Sequence, residues 1–112
     1  MKKLFLIPLI LFSLISVPSL SKTLTMDDLV QRDGLYFIKN SDDLFTGNIK
    51  EFYETDEFRI TGEIIKGKLE GPWFQYHDNG KLASKGDYKN GKKEGTWVSY
   101  YVNGHLEEEG VY

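Results

Sequence analysis

The sequence predicts an all-β fold: an open single-layer antiparallel meander of repeated β-hairpins, with a short N-terminal helix after a signal peptide. Three observations lead there. Residues 47–112 repeat with a period of 24. Asn-Gly pairs punctuate stretches that alternate apolar and polar residues, the strongest short-range hairpin signal. The chain has 112 residues, with two Trp, seven Tyr, seven Phe, 11 Gly and no Cys. That composition suits one small domain held by packing rather than by disulfides.

The first 21 residues read as an address. Lys2 and Lys3 precede an apolar run from Leu4 to Val17, broken only by Pro8, Ser13 and Ser16. The run fits the hydrophobic region of a secretory signal, and it is short of the about 20 apolar residues a spanning helix needs. Pro18 stops any helix, and Ser19 and Ser21 offer small residues to a signal peptidase. Cleavage is expected after Ser21, with the bond after Ser19 as second choice and an uncleaved membrane anchor as the alternative. Removing 21 residues, Lys2 and Lys3 among them, leaves 91 residues and moves the formal charge from −3 to −5. The start resembles bacterial signals, so the expected location is periplasmic or secreted. The organisation is then 1–21 signal peptide, 22–46 N-terminal cap segment, and 47–112 repeats in rows 47–70, 71–94 and 95–112.

The rows align without a gap. Gly47, Gly71 and Gly95 share a column. So do Ile49, Trp73 and Trp97; Phe52, Tyr76 and Tyr100; and Phe58, Leu82 and Leu106. A second glycine column holds Gly62, Gly86 and Gly110, followed two positions on by Ile64, Tyr88 and Tyr112. Each row reads as two strands, near 48–54, 57–66, 72–78, 81–89, 96–102 and 105–112. Asn79-Gly80, Asn90-Gly91 and Asn103-Gly104 are expected to form type I′ turns, which need positive φ at both central residues. The second glycine column falls inside a strand and predicts a bulge or a close backbone approach. Because 24 is even, equivalent residues return to the same face of the sheet and stack into ladders. Trp73 and Tyr76 are three apart, as are Trp97 and Tyr100. Either both faces carry aromatics, or a bulge brings each pair together.

Upstream of Gly47 lies a degenerate half row. Leu35 to Ile38 is strand-like, Asn40 to Asp43 is turn-rich, and Leu44-Phe45-Thr46-Gly47 parallels Lys68-Leu69-Glu70-Gly71. Residues 25–31 are expected to form the short helix, capped by Thr25 with Asp27 and Asp28 at its positive end.

These columns resemble the MORN-repeat variant of many bacterial proteins, a pattern of roughly Gly-x-Trp-x-x-Tyr-x-x-Asn-Gly-x-Leu and then Gly-x-Tyr-x-Asn-Gly-x-x-x-Gly. Residues 71–95 carry it as Gly71, Trp73, Tyr76, Asn79, Gly80, Leu82, Gly86, Tyr88, Asn90, Gly91 and Gly95, and residues 95–112 carry it to Tyr112. Residues 47–70 keep only the phase, with Ile49, Phe52 and Phe58 as substitutes. Proteins with this variant are often grouped as YwqK-family antitoxins of toxin–antitoxin systems. The resemblance therefore implies an antiparallel meander of hairpins that binds protein and catalyses nothing.

The residues point to little chemistry. His77 and His105 occupy different columns, so the repeat builds no symmetric metal site. Alternate strand residues face opposite ways, so Glu107, Glu108 and Glu109 cannot converge on a cation. Their expected role is to discourage pairing at the edge of the sheet. Lys66, Lys68, Lys81, Lys85, Lys89, Lys92 and Lys93 cluster near turns and are read as solvating. The acidic balance gives no nucleic-acid footprint. No nucleophile motif or phosphate loop is present, so no enzyme activity, cofactor or metal is expected. Trp73, Trp97, Leu82, Leu106, Gly80 and Gly104 are assigned to the architecture, and Tyr53, Tyr76, Tyr100 and Tyr101 to partner contact. The expected function is an exported scaffold that binds another protein through its aromatic sheet. The alternatives are an antitoxin-like neutraliser and a binder of cell-envelope glycan or lipid. Membrane contact otherwise enters only through an uncleaved signal segment.

Overall fold

The computed structural model describes residues 22–112; the predicted signal peptide, 1–21, lies outside the described residues. The strands are β1 (Lys22–Leu24), β2 (Leu29–Arg32), β3 (Leu35–Ile38), β4 (Gly47–Phe52), β5 (Phe58–Ile65), β6 (Lys68–Leu69), β7 (Gly71–Tyr76), β8 (Leu82–Lys89), β9 (Lys92–Tyr100) and β10 (Leu106–Val111). An eight-stranded sheet runs in the order β10-β9-β8-β7-β5-β4-β1, with β6 paired to β5, while β2 and β3 form a separate hairpin. No helix among the described residues is long and apolar enough to cross a membrane.

The repeat appears as three hairpins with equivalent pairing. Ile49 pairs with Gly62 in β4–β5, Trp73 with Gly86 in β7–β8, and Trp97 with Gly110 in β9–β10. The register then slips at one place in each hairpin. Phe52 pairs with Phe58, Tyr76 with Leu82 and Tyr100 with Leu106, leaving Arg59, Ala83 and Glu107 as the extra residues. Those three are also 24 apart, so the bulge is itself part of the repeat. An extra residue re-aims its neighbours and increases local twist.

Two expectations about the architecture are corrected. The sheet is not a purely antiparallel meander, because β1 lies parallel to β4, with Lys22 beside Gly47 and Leu24 beside Ile49. Nor is it a single layer throughout, since β2 and β3 belong to a second sheet. The short helix over 25–31 is also absent. Met26–Asp28 makes one 3-10 turn and Leu29 starts β2. Isolated helices this short are marginal in water, whereas Leu29, Val30, Gln31 and Arg32 each pair with a residue of β3. Asp33 (φ 52°) and Gly34 (φ 79°) close that hairpin.

The turns divide into two kinds. Asn90 (φ 52°) and Gly91 (φ 83°) both take positive φ, as a type I′ turn requires, and Lys66 and Gly67 do the same one row earlier. At Asn79-Gly80 and Asn103-Gly104 only the glycines do, at φ 85° and 91°. These are longer loops rather than the expected I′ turns, closed by His77 N–H to Lys81 O and Tyr101 N–H to His105 O, each 2.8 Å. Asparagine serves there through its side chain: Asn79 Oδ1 accepts from Lys81 N–H, and Asn103 Oδ1 from His105 N–H, both 2.9 Å.

The core lies on one face of the sheet at its N-terminal half. Leu29, Phe45, Ile49, Ile64 and Trp73 are buried together, flanked by Leu24, Met26, Tyr36, Ile38 and Leu69. Phe45 is fixed by backbone bonds on both sides, from its N–H to Tyr36 O (3.1 Å) and from Gly67 N–H to its own carbonyl (2.8 Å). Gly91 N–H bonds Leu69 O in the same way 24 residues on, at 2.9 Å. Glu51 is buried at 6% exposure. Its carboxylate accepts from Met26 N–H (2.7 Å) and Arg59 Nη2 (2.6 Å), as a buried charge must be paired to be tolerated.

Candidate functional site

The apolar columns separate onto the two faces of the sheet. On the core face the aromatic rings form a herringbone: Trp73 meets Tyr88 at 5.8 Å and 86°, and Tyr88 meets Trp97 at 5.0 Å and 75°. Edge-to-face contacts of this kind are favourable for aromatic pairs. Trp73 covers Gly62 and Trp97 covers Gly86 so closely that a methyl group at either glycine would overlap the indole. The second glycine column thus marks a close approach, and the bulge falls three residues before it. Trp97 Nε1 donates to Asp87 O at 3.0 Å. Lys93 Nζ caps the stack, 4.7 Å from the Trp97 ring centroid and 5.2 Å from that of Tyr112. Burial raises the pKa of the Tyr88 phenol, with a smaller contribution from Tyr36.

The opposite face carries a second stripe. Phe52 and Phe58 stack at 4.9 Å, Phe58 meets Tyr76 at 6.3 Å, and Tyr76 meets Phe74 at 6.4 Å. Tyr76 sits with Phe74, the neighbour of Trp73, so Trp73 and Tyr76 face opposite ways. Of the two readings open from the sequence, aromatics on both faces is the one the structure bears out; the bulge lies in the partner strand, at Ala83, and does not bring Trp73 and Tyr76 together. Leu82 is paired with Tyr76 and Leu106 with Tyr100, which carries the stripe across β8, β9 and β10. No second layer covers this face among the described residues: Phe52 is 53% exposed, Phe58 42% and Leu106 54%. An uncovered apolar surface of this length is the kind that marks interaction sites.

The residues chosen from the sequence fall in different places. Tyr76 and Tyr100 are half-buried members of the stripe. Tyr53 and Tyr101 lie beyond the strand ends, in the turns. The Tyr53 hydroxyl donates to Tyr76 O (2.7 Å), and the His77 ring donates through Nε2 to Tyr100 O (2.9 Å). Tyr53 and His77 therefore act as row-to-row clamps in one column, assisted by Asn79 Nδ2 donating to Val102 O (3.1 Å), and Tyr101 is the next residue of that column. Sequence reasoning missed this column, although the 24-residue spacing was visible, because it mixes tyrosine with histidine. Trp73 is buried and Trp97 half-buried on the core face, while Leu82 and Leu106 belong to the opposite face. Gly80 and Gly104 hold the positive-φ corners of the long loops.

The acidic groups do not converge. Among the described residues no group of three or more acidic, His or Cys side chains is placed to hold a metal ion. Glu108 lies opposite Ser99 and Glu109 opposite Val98, on alternate faces. The lysines divide: Lys68, Lys89, Lys92 and Lys93 line a shallow hollow with Asn90 and Glu94. Lys85 sits across from Phe74, and Lys81 lies in the opposite turn. Thr25 N–H and Oγ donate to Asp28, which lowers the pKa of its carboxyl.

Three comparisons set this arrangement beside known proteins. No curated protein and no solved structure shows significant similarity to the chain. A family model, the MORN repeat variant, matches residues 69–90 and 93–112. The first segment spans β7 and β8 and the second β9 and β10. Over this part of its length, the protein is a MORN-repeat-like β-sheet domain with clustered aromatics at its surface.

Proposed function

We propose that the chain is an exported, non-enzymatic repeat protein that binds another protein through the apolar stripe on the uncovered face of its sheet. The observation that carries this reading is the run of Phe52, Phe58, Tyr76, Leu82, Tyr100 and Leu106 across six strands, with no second layer above it among the described residues. Aromatic residues are enriched where binding energy concentrates. Trp73 on the core face is buried in the core, whereas the stripe stays open to a partner. Export rests on the basic start and apolar run of residues 1–21.

The test combines location with contact. Fractionation of the native host should recover a shortened chain outside the cytoplasm. A photo-cross-linking residue at Phe58 or Leu106 should trap one defined protein, and one at Lys22, on β1, should not. The paired substitutions Phe52→Ser and Phe58→Ser should abolish the adduct formed from Leu106 and leave the far-ultraviolet dichroism unchanged. A full-length cytoplasmic chain, or adducts that survive these substitutions, would refute the reading.

A further inference from the structure

The outer edge of β10 has no neighbouring strand among the described residues. Two contacts repeated inside the sheet, and a third made once, are unfilled there. Gly62 and Gly86 are each covered by the tryptophan of the following row, whereas a Cβ at Gly110 would meet only the Tyr112 ring, at 3.8 Å. Tyr53 and His77 each donate to a carbonyl of the following row; Tyr101, next in that column, has no such acceptor among the described residues. Asn79 Nδ2 bonds Val102 O, and Asn103, its equivalent, has no matching carbonyl among them. The edge presents a glycine that no following tryptophan covers, beside two side-chain donors and a row of backbone groups.

We infer that this edge binds an antiparallel strand of another polypeptide, one that sets an aromatic ring on Gly110 and follows it with two basic residues. The register comes from the sheet. Phe74 and Gln75, the two residues after Trp73, lie opposite Thr61 and Ile60, the two before Gly62. The residues before Gly110 are Glu109 and Glu108, and no Lys or Arg occurs from Tyr101 to Tyr112. Opposite charges directly across antiparallel strands stabilise the pair, and like charges oppose it. The three glutamates that discourage pairing with a second β10 therefore select a basic strand. Added strands gain affinity from main-chain hydrogen bonds and specificity from alternate side chains. This surface is separate from the stripe.

The probe is a fluorescein-labelled peptide of about ten residues, the length of a long strand. It carries a central Trp, then two Lys, with Thr and Val elsewhere; a control peptide has two Glu in place of the Lys. With the full chain, anisotropy should show the Lys peptide binding at least about tenfold more tightly than the control. Gly110→Val occupies the place of the ring and should weaken binding at least about tenfold with dichroism unchanged. Glu108→Lys with Glu109→Lys should transfer the preference to the Glu peptide. The stripe variant Phe52→Ser with Phe58→Ser should bind the Lys peptide like the parent chain, so failure here and failure of the stripe reading are distinguishable. Binding of neither peptide up to about 1 mM, unaltered binding by Gly110→Val, or an unchanged preference after charge reversal would each overturn the inference.

Discussion

The indole of Trp97 rests on the backbone of Gly86, with no room for even a methyl group between them. Gly86 does not take positive φ, so its identity is set by the ring above it and not by backbone freedom. Gly86→Ala should therefore destabilise the fold by about 1–3 kcal/mol, the range for overpacking. Gly110→Ala, whose methyl would meet only the Tyr112 ring at an ordinary contact distance of 3.8 Å, should stay within about 0.5 kcal/mol, as surface changes do. Urea unfolding followed by tryptophan fluorescence measures both, and equal effects would separate the glycine column from the ring.

The phase of the repeat made much of the fold legible. Columns 24 apart located all three hairpins and the ladders on each face. What escaped depends on contacts outside the period. Asp33-Gly34 is a hairpin signal of the same kind as Asn90-Gly91, yet residues 25–31 read as a helix because Thr25, Asp27 and Asp28 suit a helix start. The parallel β1 has no signal of its own, since Lys22, Thr23 and Leu24 acquire their strand only from the edge of β4. At the candidate site, Tyr76 and Tyr100 were legible from their column. Tyr53 and Tyr101 share a column with His77, and the row-to-row role of Tyr53 and His77 shows only in the hydrogen bonds. Leu82 and Leu106 were assigned with the tryptophans, although the bulge and the parity of the strands put them on the other face.

The two tryptophans should not be equivalent. Trp73 is 7% exposed within the buried cluster, whereas Trp97 is only packed against it. Trp73→Ala should cost about 3–5 kcal/mol, as for a buried aromatic. Trp97→Ala should cost less, because part of its surface is already wet. Chemical denaturation of the two variants decides it, and a larger loss at Trp97 would mean that the core lies further toward β10.

The Glu51–Arg59 pair should respond unequally to its two halves. Glu51 is buried, and Arg59 is half exposed. Arg59→Met leaves a buried carboxylate with only Met26 N–H, and should cost about 1–3 kcal/mol as an under-satisfied buried group. Glu51→Gln keeps an acceptor for Met26 and releases Arg59 to solvent, so its cost should be nearer the about 1 kcal/mol of a single hydrogen bond. Thermal unfolding of the two variants should rank Arg59→Met as the less stable.

Tyr88 gives the stability an alkaline limb. Burial raises its pKa above the ordinary 10.0, so the folded state holds this proton more tightly than the unfolded chain. The resulting stabilisation is complete below pH 10 and is lost as pH rises from there through the folded-state value. Ultraviolet titration should show one tyrosine ionising after the others, and Tyr88→Phe should remove both that late step and its part of the alkaline loss. A late step that persists in Tyr88→Phe would assign it elsewhere.

The two kinds of Asn-Gly turn should also part under substitution. Asn90 is itself in the left-handed region, so Asn90→Val should cost about 1–2 kcal/mol, the penalty for a branched residue forced there. Asn103 is not among the positive-φ residues, and Asn103→Ala should lose only the bond from His105 N–H, about 0.5–1.5 kcal/mol. The left-handed penalty in that loop falls on its glycine: at φ 91°, Gly104→Val should cost at least as much as Asn90→Val. Equilibrium unfolding of the three variants tests the assignment, and an Asn103→Ala loss larger than that of Gly104→Val would place the strained position one residue earlier.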